Sequence, residues 1–198
     1  MIRNVVFDIG WVLMRFNYRP IIELLRARGA DVADRNGVME RIALAEHECG
    51  RVHGHGLLER LQAITREPLS LEEAHAHWVN MFEPDPPMIE LAHRLSEHYR
   101  VYLLSNMGDL HWAHLSREYR LHAIGHGALP SYLAGVMKPD PGIYREAERR
   151  FALEPPATVF IDDRADNVAA AGARGWAGIV HRDYAATLAD LRRLGVAC

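Results

Sequence analysis

Val5-Val6-Phe7-Asp8-Ile9-Gly10-Trp11-Val12-Leu13 is an apolar, β-branched run that reaches a single aspartate and then turns at once. Short continuous apolar runs of this kind suit strands covered on both faces, as in parallel sheets. A carboxylate at the carboxyl end of such a strand is costly to desolvate. It calls for a cation, a hydrogen-bond cradle or a chemical role. Residues 101–105, 157–161 and 176–180 have the same apolar character. Polar groups recur at the later strand ends, as Ser105-Asn106, Lys138 and Asp162-Asp163. In a doubly wound sheet these ends open on one crevice. A nucleophile, a hydroxyl with an amide, a cation and an acidic pair then share one pocket.

Helical patterns lie between the strands. Residues 87–98 space Met88, Leu91, Ala92 and Leu95 along one face, 141–151 opens on Pro141, and 165–174 is alanine-rich and ends near Gly175. Alternating strands and helices predict a doubly wound, parallel α/β sheet. Residues 17–83 break that rhythm with helical segments near 20–28, 34–48, 56–65 and 71–82 and no core strand. The expected organisation is a catalytic core over 1–16 and 84–198, with 17–83 inserted as a small helical cap above the crevice. Leucines 188, 191 and 194 predict a closing helix packed on the sheet.

A chain of 198 residues is long enough for one core and a small second lobe. A net charge of -3 supplies no basic footprint for nucleic acid, so a phosphorylated small molecule must be met by local positive groups. No apolar run approaches the roughly 20 residues needed to span a bilayer. Cys49 and Cys198 make no disulfide framework, and Met1-Ile2-Arg3-Asn4 leads straight into a strand without the pattern of a signal peptide. These features predict a cytoplasmic protein, and they choose neither monomer nor dimer.

Asp8 can attack phosphorus or a polarised carbon, although a strand-end aspartate can equally be structural. Asp162-Asp163 repel each other unless a cation intervenes, and with Asp8 nearby they form a hard-oxygen set suited to Mg2+. Alone they could simply decorate a helix N-terminus. The Ser105 hydroxyl and the backbone N–H groups beside it suit phosphate oxygens, or an ordinary turn. Lys138 is the only lysine in a chain where arginine does the other basic work, and it precedes Pro139-Asp140-Pro141. There it can neutralise a phosphate or the nucleophile.

Together these segments resemble the four ordered motifs of the haloacid dehalogenase-like hydrolases. Asp8 matches the first and Ser105 the second. Lys138-Pro139-Asp140-Pro141-Gly142-Ile143-Tyr144 matches the third, and Asp162-Asp163-Arg164-Ala165-Asp166-Asn167-Val168 the fourth. The likeness is greatest to the small-capped sugar-phosphate phosphatases of the α-D-glucose-1-phosphate phosphatase type. The resemblance implies a Rossmann-like sheet and an aspartyl-phosphate mechanism. Asp8 would be the nucleophile and a Mg2+ ligand, joined by the Gly10 carbonyl and Asp163, with Asp162 acting directly or through water. Ser105, the Asn106 N–H and Lys138 would hold the phosphoryl group, and Asn167 or Asp166 would support the acidic loop.

The chain departs from the family pattern at Gly10, where most family phosphatases place an aspartate that handles the leaving-group proton. Such help is typically worth about 10² to 10⁴ in rate. Relatives of the glucose-1-phosphate type share the glycine, and an anomeric oxygen leaves more readily than a simple alkoxide. Glu46 or His47 in the cap could supply the proton. Trp11 could wall the pocket against a sugar ring, and packing beneath the cap is the stronger expectation. Arg164 either balances the acidic pair or faces solvent. A metal-free 2-haloacid dehalogenase and a non-catalytic phosphosugar-binding protein are the rival readings.

Overall fold

The computed structural model describes residues 1–198. In chain order the elements are β1 (Asn4–Phe7), β2 (Met14–Phe16), α1 (Arg19–Ala27), α2 (Arg35–Arg41), α3 (Leu44–Glu48), α4 (Gly54–Ala63), α5 (Leu71–Val79), β3 (Phe82–Pro84), α6 (Pro86–Ser96), β4 (Arg100–Ser105), α7 (Asp109–Glu118), β5 (Gly127–Pro130), α8 (Ser131–Ala134), α9 (Pro141–Phe151), β6 (Thr158–Asp162), α10 (Ala165–Gly172), β7 (Ala177–Val180) and α11 (Tyr184–Arg193). Five strands form a parallel sheet in the order β5-β4-β1-β6-β7. The chain runs outward from β1 to β5, then crosses back to β6, so β1 and β6 flank the point where winding reverses.

The continuous apolar runs are explained by burial on both faces. Val5, Phe7, Val101, Leu103, Val159 and Ile161 face one core, with Met88, Leu91, Leu95, Leu115 and Leu191 from α6, α7 and α11. Their neighbours Val6, Tyr102, Leu104 and Phe160 face the other, against Ile143, Tyr144, Ala147 and Ala171 of α9 and α10. No polar side is left over, which is why no alternation is visible in these strands.

The region between β1 and α6 differs from the sequence expectation in two ways. β2 and β3 pair as a short antiparallel ribbon at the root of the helical segment, with Phe16 opposite Phe82. The segment expected as one helix over 34–48 is two, α2 and α3, parted at Ala43, whose φ of 47° is left-handed. Strand β5 was also not foreseen. It is four residues long, with Pro130 at its end, too short to stand out as an apolar run. No helix is long and apolar enough to cross a membrane.

Candidate active site

Register sets the site. Phe7 pairs with Leu103 on one side and Ile161 on the other, so the next residues, Asp8, Leu104 and Asp162, emerge together at the sheet's carboxyl edge. The Asp8 N–H donates to the Ile161 carbonyl at 2.8 Å, and the chain then folds back as Val12, Leu13 and Met14 donate to the Ile9 carbonyl. Ser105 ends β4 beside them and is buried.

Lys138 reaches this edge from the loop before α9. Its Nζ donates to the Leu104 carbonyl at 3.0 Å and to Asp162 Oδ2 at 2.6 Å, and lies 2.9 Å from Asp8 Oδ1. Asn106 fixes the loop reciprocally: its Nδ2 donates to the Lys138 carbonyl at 2.9 Å, and its Oδ1 accepts the Lys138 N–H at 2.8 Å. That pairing occupies the Asn106 side chain, so its amide does not itself face a ligand.

Oxygens of Asp8, Asp162 and Asp163 lie within 4.8 Å of one another. Burial pushes the Asp8 carboxyl up to about 6, with Lys138 opposing and the Asp162 charge adding to the rise. Asp163 is also raised, by burial and then by Asp162. Asp162 is the most committed of the three: besides Lys138, its Oδ1 accepts from the Arg164 N–H and from Asn167 Nδ2, each at 2.9 Å. Three carboxylates against one ammonium leave two negative charges uncompensated, which fits a divalent cation with hard-oxygen preference. The buried Asn167 Oδ1, beside the same cluster, has no partner.

Asn167 touches the cluster directly, whereas Asp166 bonds Arg164 at 2.7 Å and the Asn167 N–H at 2.9 Å and supports the loop from its outer side. That pairing also decides Arg164, which balances Asp166 rather than the acidic pair.

A cavity of about 270 Å³ opens above Asp8, Ser105, Asn106, Lys138 and Asp163. Its upper wall is Trp11, Phe16, Tyr18, Arg35, Leu44 and Glu48. Trp11 holds a left-handed φ of 56° and is 48 % exposed, so it walls the opening instead of packing under the helices. Neither Glu46 nor His47 lines this cavity. Glu46 pairs with Arg60 at 2.6 Å, and His47 is buried with Nδ1 on the Val52 carbonyl at 2.9 Å. Arg35 and Glu48 were not singled out from the sequence. Nothing in the local sequence separates them from the other charged residues of this helical segment.

The haloacid dehalogenase-like hydrolase family matches residues 2–175. The chain belongs to this family. Like its members it is a hydrolase, and its parallel core sheet with flanking helices is the family's fold. It is 26% identical over 191 residues to a sesquiterpene phosphatase of Aspergillus oryzae, covering 96% of this chain and 94% of the relative. A flavin mononucleotide hydrolase of Arabidopsis thaliana is 38% identical over 66 residues, 33% of this chain and 27% of that one. The fold is similar to that of a haloacid dehalogenase-family enzyme from Bacteroides thetaiotaomicron crystallised with magnesium and inorganic phosphate. The TM-score is 0.82 at 24% identity, with 92% and 95% of the two chains covered. An L-2-haloacid dehalogenase of Xanthobacter autotrophicus is more distant, with a TM-score of 0.63 at 18% identity, covering 100% of this chain and 85% of the other.

Proposed function

We propose that this haloacid dehalogenase-like hydrolase is a Mg2+-dependent phosphatase of small phosphorylated metabolites, sugar phosphates first. The observation that supports it most is the Asp8-Lys138-Asp162 bridge with Asp163 beside it. A metal-free dehalogenase would have no use for so many buried carboxylates, which are unfavourable without a cation.

Asp8 and Asp163, with the Gly10 carbonyl, would hold the ion, and Asp162 would act through water because its oxygens are already engaged. Bound there, Mg2+ would offset charge on the phosphoryl oxygens. The chain's own residues do the rest. Oδ1 of Asp8 is held by the Ile9 N–H at 2.6 Å and by Lys138, which aims the other oxygen at phosphorus. Ser105, the Asn106 N–H and Lys138 cradle the transferring group. A bond forms from Asp8 to phosphorus as the leaving oxygen departs; water then displaces Asp8 and releases phosphate.

The names of the two curated relatives, a phosphatase and a nucleotide hydrolase, support phosphate-ester chemistry and differ in substrate. Here the upper wall combines aromatic rings with a guanidinium and a carboxylate. A bare hydrocarbon chain would desolvate Arg35 and Glu48 and offer no hydrogen bond to either, whereas a polyhydroxylated ring can stack and bond to both. The cavity volume also favours a small ester.

A phosphate-release screen over sugar phosphates and nucleotides, with Mg2+ and with chelator, tests this. Release only with Mg2+, lost in Asp8→Asn, is the expected result. Turnover that survives chelation, or that persists in Asp8→Asn, overturns it.

A further inference from the structure

The phosphatase reading leaves one proton without a carrier, because Gly10 has no side chain to give it or take it. Short helix α3 offers three ionisable candidates in succession, and the structure separates them. Glu46 points to Arg60, His47 is buried against Gly108, and Glu48 alone lines the cavity that Asp8 and Lys138 line.

Glu48 is held in place by the core itself. The Ser131 hydroxyl donates to the Glu48 carbonyl at 2.6 Å, and the same oxygen accepts the Met107 N–H at 2.9 Å. Met107 follows Ser105-Asn106 directly. Just beyond Glu48, Gly50 takes a left-handed φ of 70°, and a Cβ there would strike the Tyr132 carbonyl. The segment bearing Glu48 is thereby pinned to the loop that presents the phosphate-binding groups. Arg35 of α2 is its main cationic neighbour and rests 4.1 Å above the Tyr18 ring, while Asp8 and Lys138 act on it from the core. Burial raises the Glu48 carboxyl to about 7, the range in which a group can both donate and accept near neutrality.

Resting on the phosphatase reading, we infer that Glu48 takes the place of the missing aspartate as the acid and base at the leaving oxygen. In the first displacement the Glu48 O–H bond breaks as the phosphorus–oxygen bond to the leaving group breaks. The proton moves to the departing oxygen, which leaves as an alcohol. Glu48, now a carboxylate, takes a proton from water as the water oxygen bonds to phosphorus and the Asp8–phosphorus bond breaks. Orthophosphate leaves, and both carboxyl groups return to their starting forms.

The test compares the parent with Glu48→Gln on two esters in rapid-mixing experiments with Mg2+ present: a hexose phosphate and p-nitrophenyl phosphate. Nitrophenolate needs no proton to leave, so Glu48→Gln should release about one equivalent per site in a burst and then turn over slowly. Hexose phosphate hydrolysis should fall about 10²-fold without a burst. Inorganic phosphate should still bind, read by calorimetry, showing an intact site. Equal slowing of both esters with no burst, or no slowing of either, overturns the assignment while leaving the phosphatase reading in place. A parent that releases phosphate from neither ester overturns both.

Discussion

A Cβ on Gly10 would sit 2.6 Å from Cε2 of Phe16, far inside van der Waals contact. Phe16 has little room to yield. It stacks on Tyr18 at 5.7 Å, meets Phe82 at 4.9 Å and touches Trp11 edge-on at 6.0 Å. The aromatic wall thus occupies the space that a side chain at position 10 would need. Gly10→Asp should therefore lower the melting temperature, at a cost of about 1 to 3 kcal/mol for overpacking, and should not raise turnover. Thermal melts with steady-state kinetics check this; a variant as stable as the parent and faster would show that the space exists.

Lys138 spends its ammonium on two carboxylates and a carbonyl. Lys138→Met leaves those carboxylates buried without their cation. Turnover should fall by about 10² or more. Removing one partner of a buried pair costs about 3 to 5 kcal/mol at neutral pH. The sign follows from Asp8, whose carboxyl is already raised by burial against the opposing pull of Lys138 and rises further without that ammonium. Stability is then lost as pH increases, so the variant should lie nearest the parent near pH 5 and farthest at pH 8. A gap in melting temperature that does not vary with pH would contradict this.

His111 is buried, its Nε2 3.0 Å from the Trp78 carbonyl and its ring stacked on Trp78 at 4.9 Å. Burial lowers its pKa to about 3. The unfolded chain binds a proton near 6.5 and the folded chain does not, so stability is full above that pH and drains away as pH falls toward 3. Between pH 6.5 and 5 the loss from this residue is about 2 kcal/mol. His111→Phe should be less stable at pH 7, because the Trp78 carbonyl loses its donor, yet show a shallower acid limb in urea unfolding. Parallel acid limbs would exclude the assignment.

Glu48 acts in the opposite direction. Its carboxyl is raised from 4.5 to about 7, so the folded chain keeps a proton that the unfolded chain has released. Stability declines as pH rises from 4.5 to 7, and the penalty is complete above that range. Glu48→Gln should therefore be more stable than the parent at pH 8, by up to about 3 kcal/mol, with the gap closing toward pH 4.5. Denaturant titrations at the two pH values decide it; a variant that is less stable at pH 8 would mean that Glu48 serves packing instead.

The parallel strands β1, β4 and β6 were readable because burial on both faces leaves nothing polar in their interiors, whereas edge strand β7, with only Ile179 buried, was readable from its apolar composition. Asp8, Ser105 and Asp162 stood out because each interrupts or ends such a run. Lys138 stood out by rarity and by the prolines after it. The ribbon β2–β3 and strand β5 were not readable, since three or four residues are too few for a period to show. The break at Ala43 was hidden as well: a left-handed residue without glycine gives no compositional signal, and the Arg60 guanidinium of α4, distant in sequence, donates to the Ile42 and Ala43 carbonyls there.

The order of motifs along the chain was enough to specify four strands of the parallel sheet and the meeting of Asp8, Ser105 and Asp162 at its carboxyl edge, because strand burial and strand-end charge are written locally. Which side chain of Glu46, His47 and Glu48 enters the cavity, and that Phe16 closes the space above Gly10, depended on the fold. Adjacent residues on a one-turn helix differ in direction by about 100°, and only the docking of that helix through Ser131 and Gly50 sets which direction is inward.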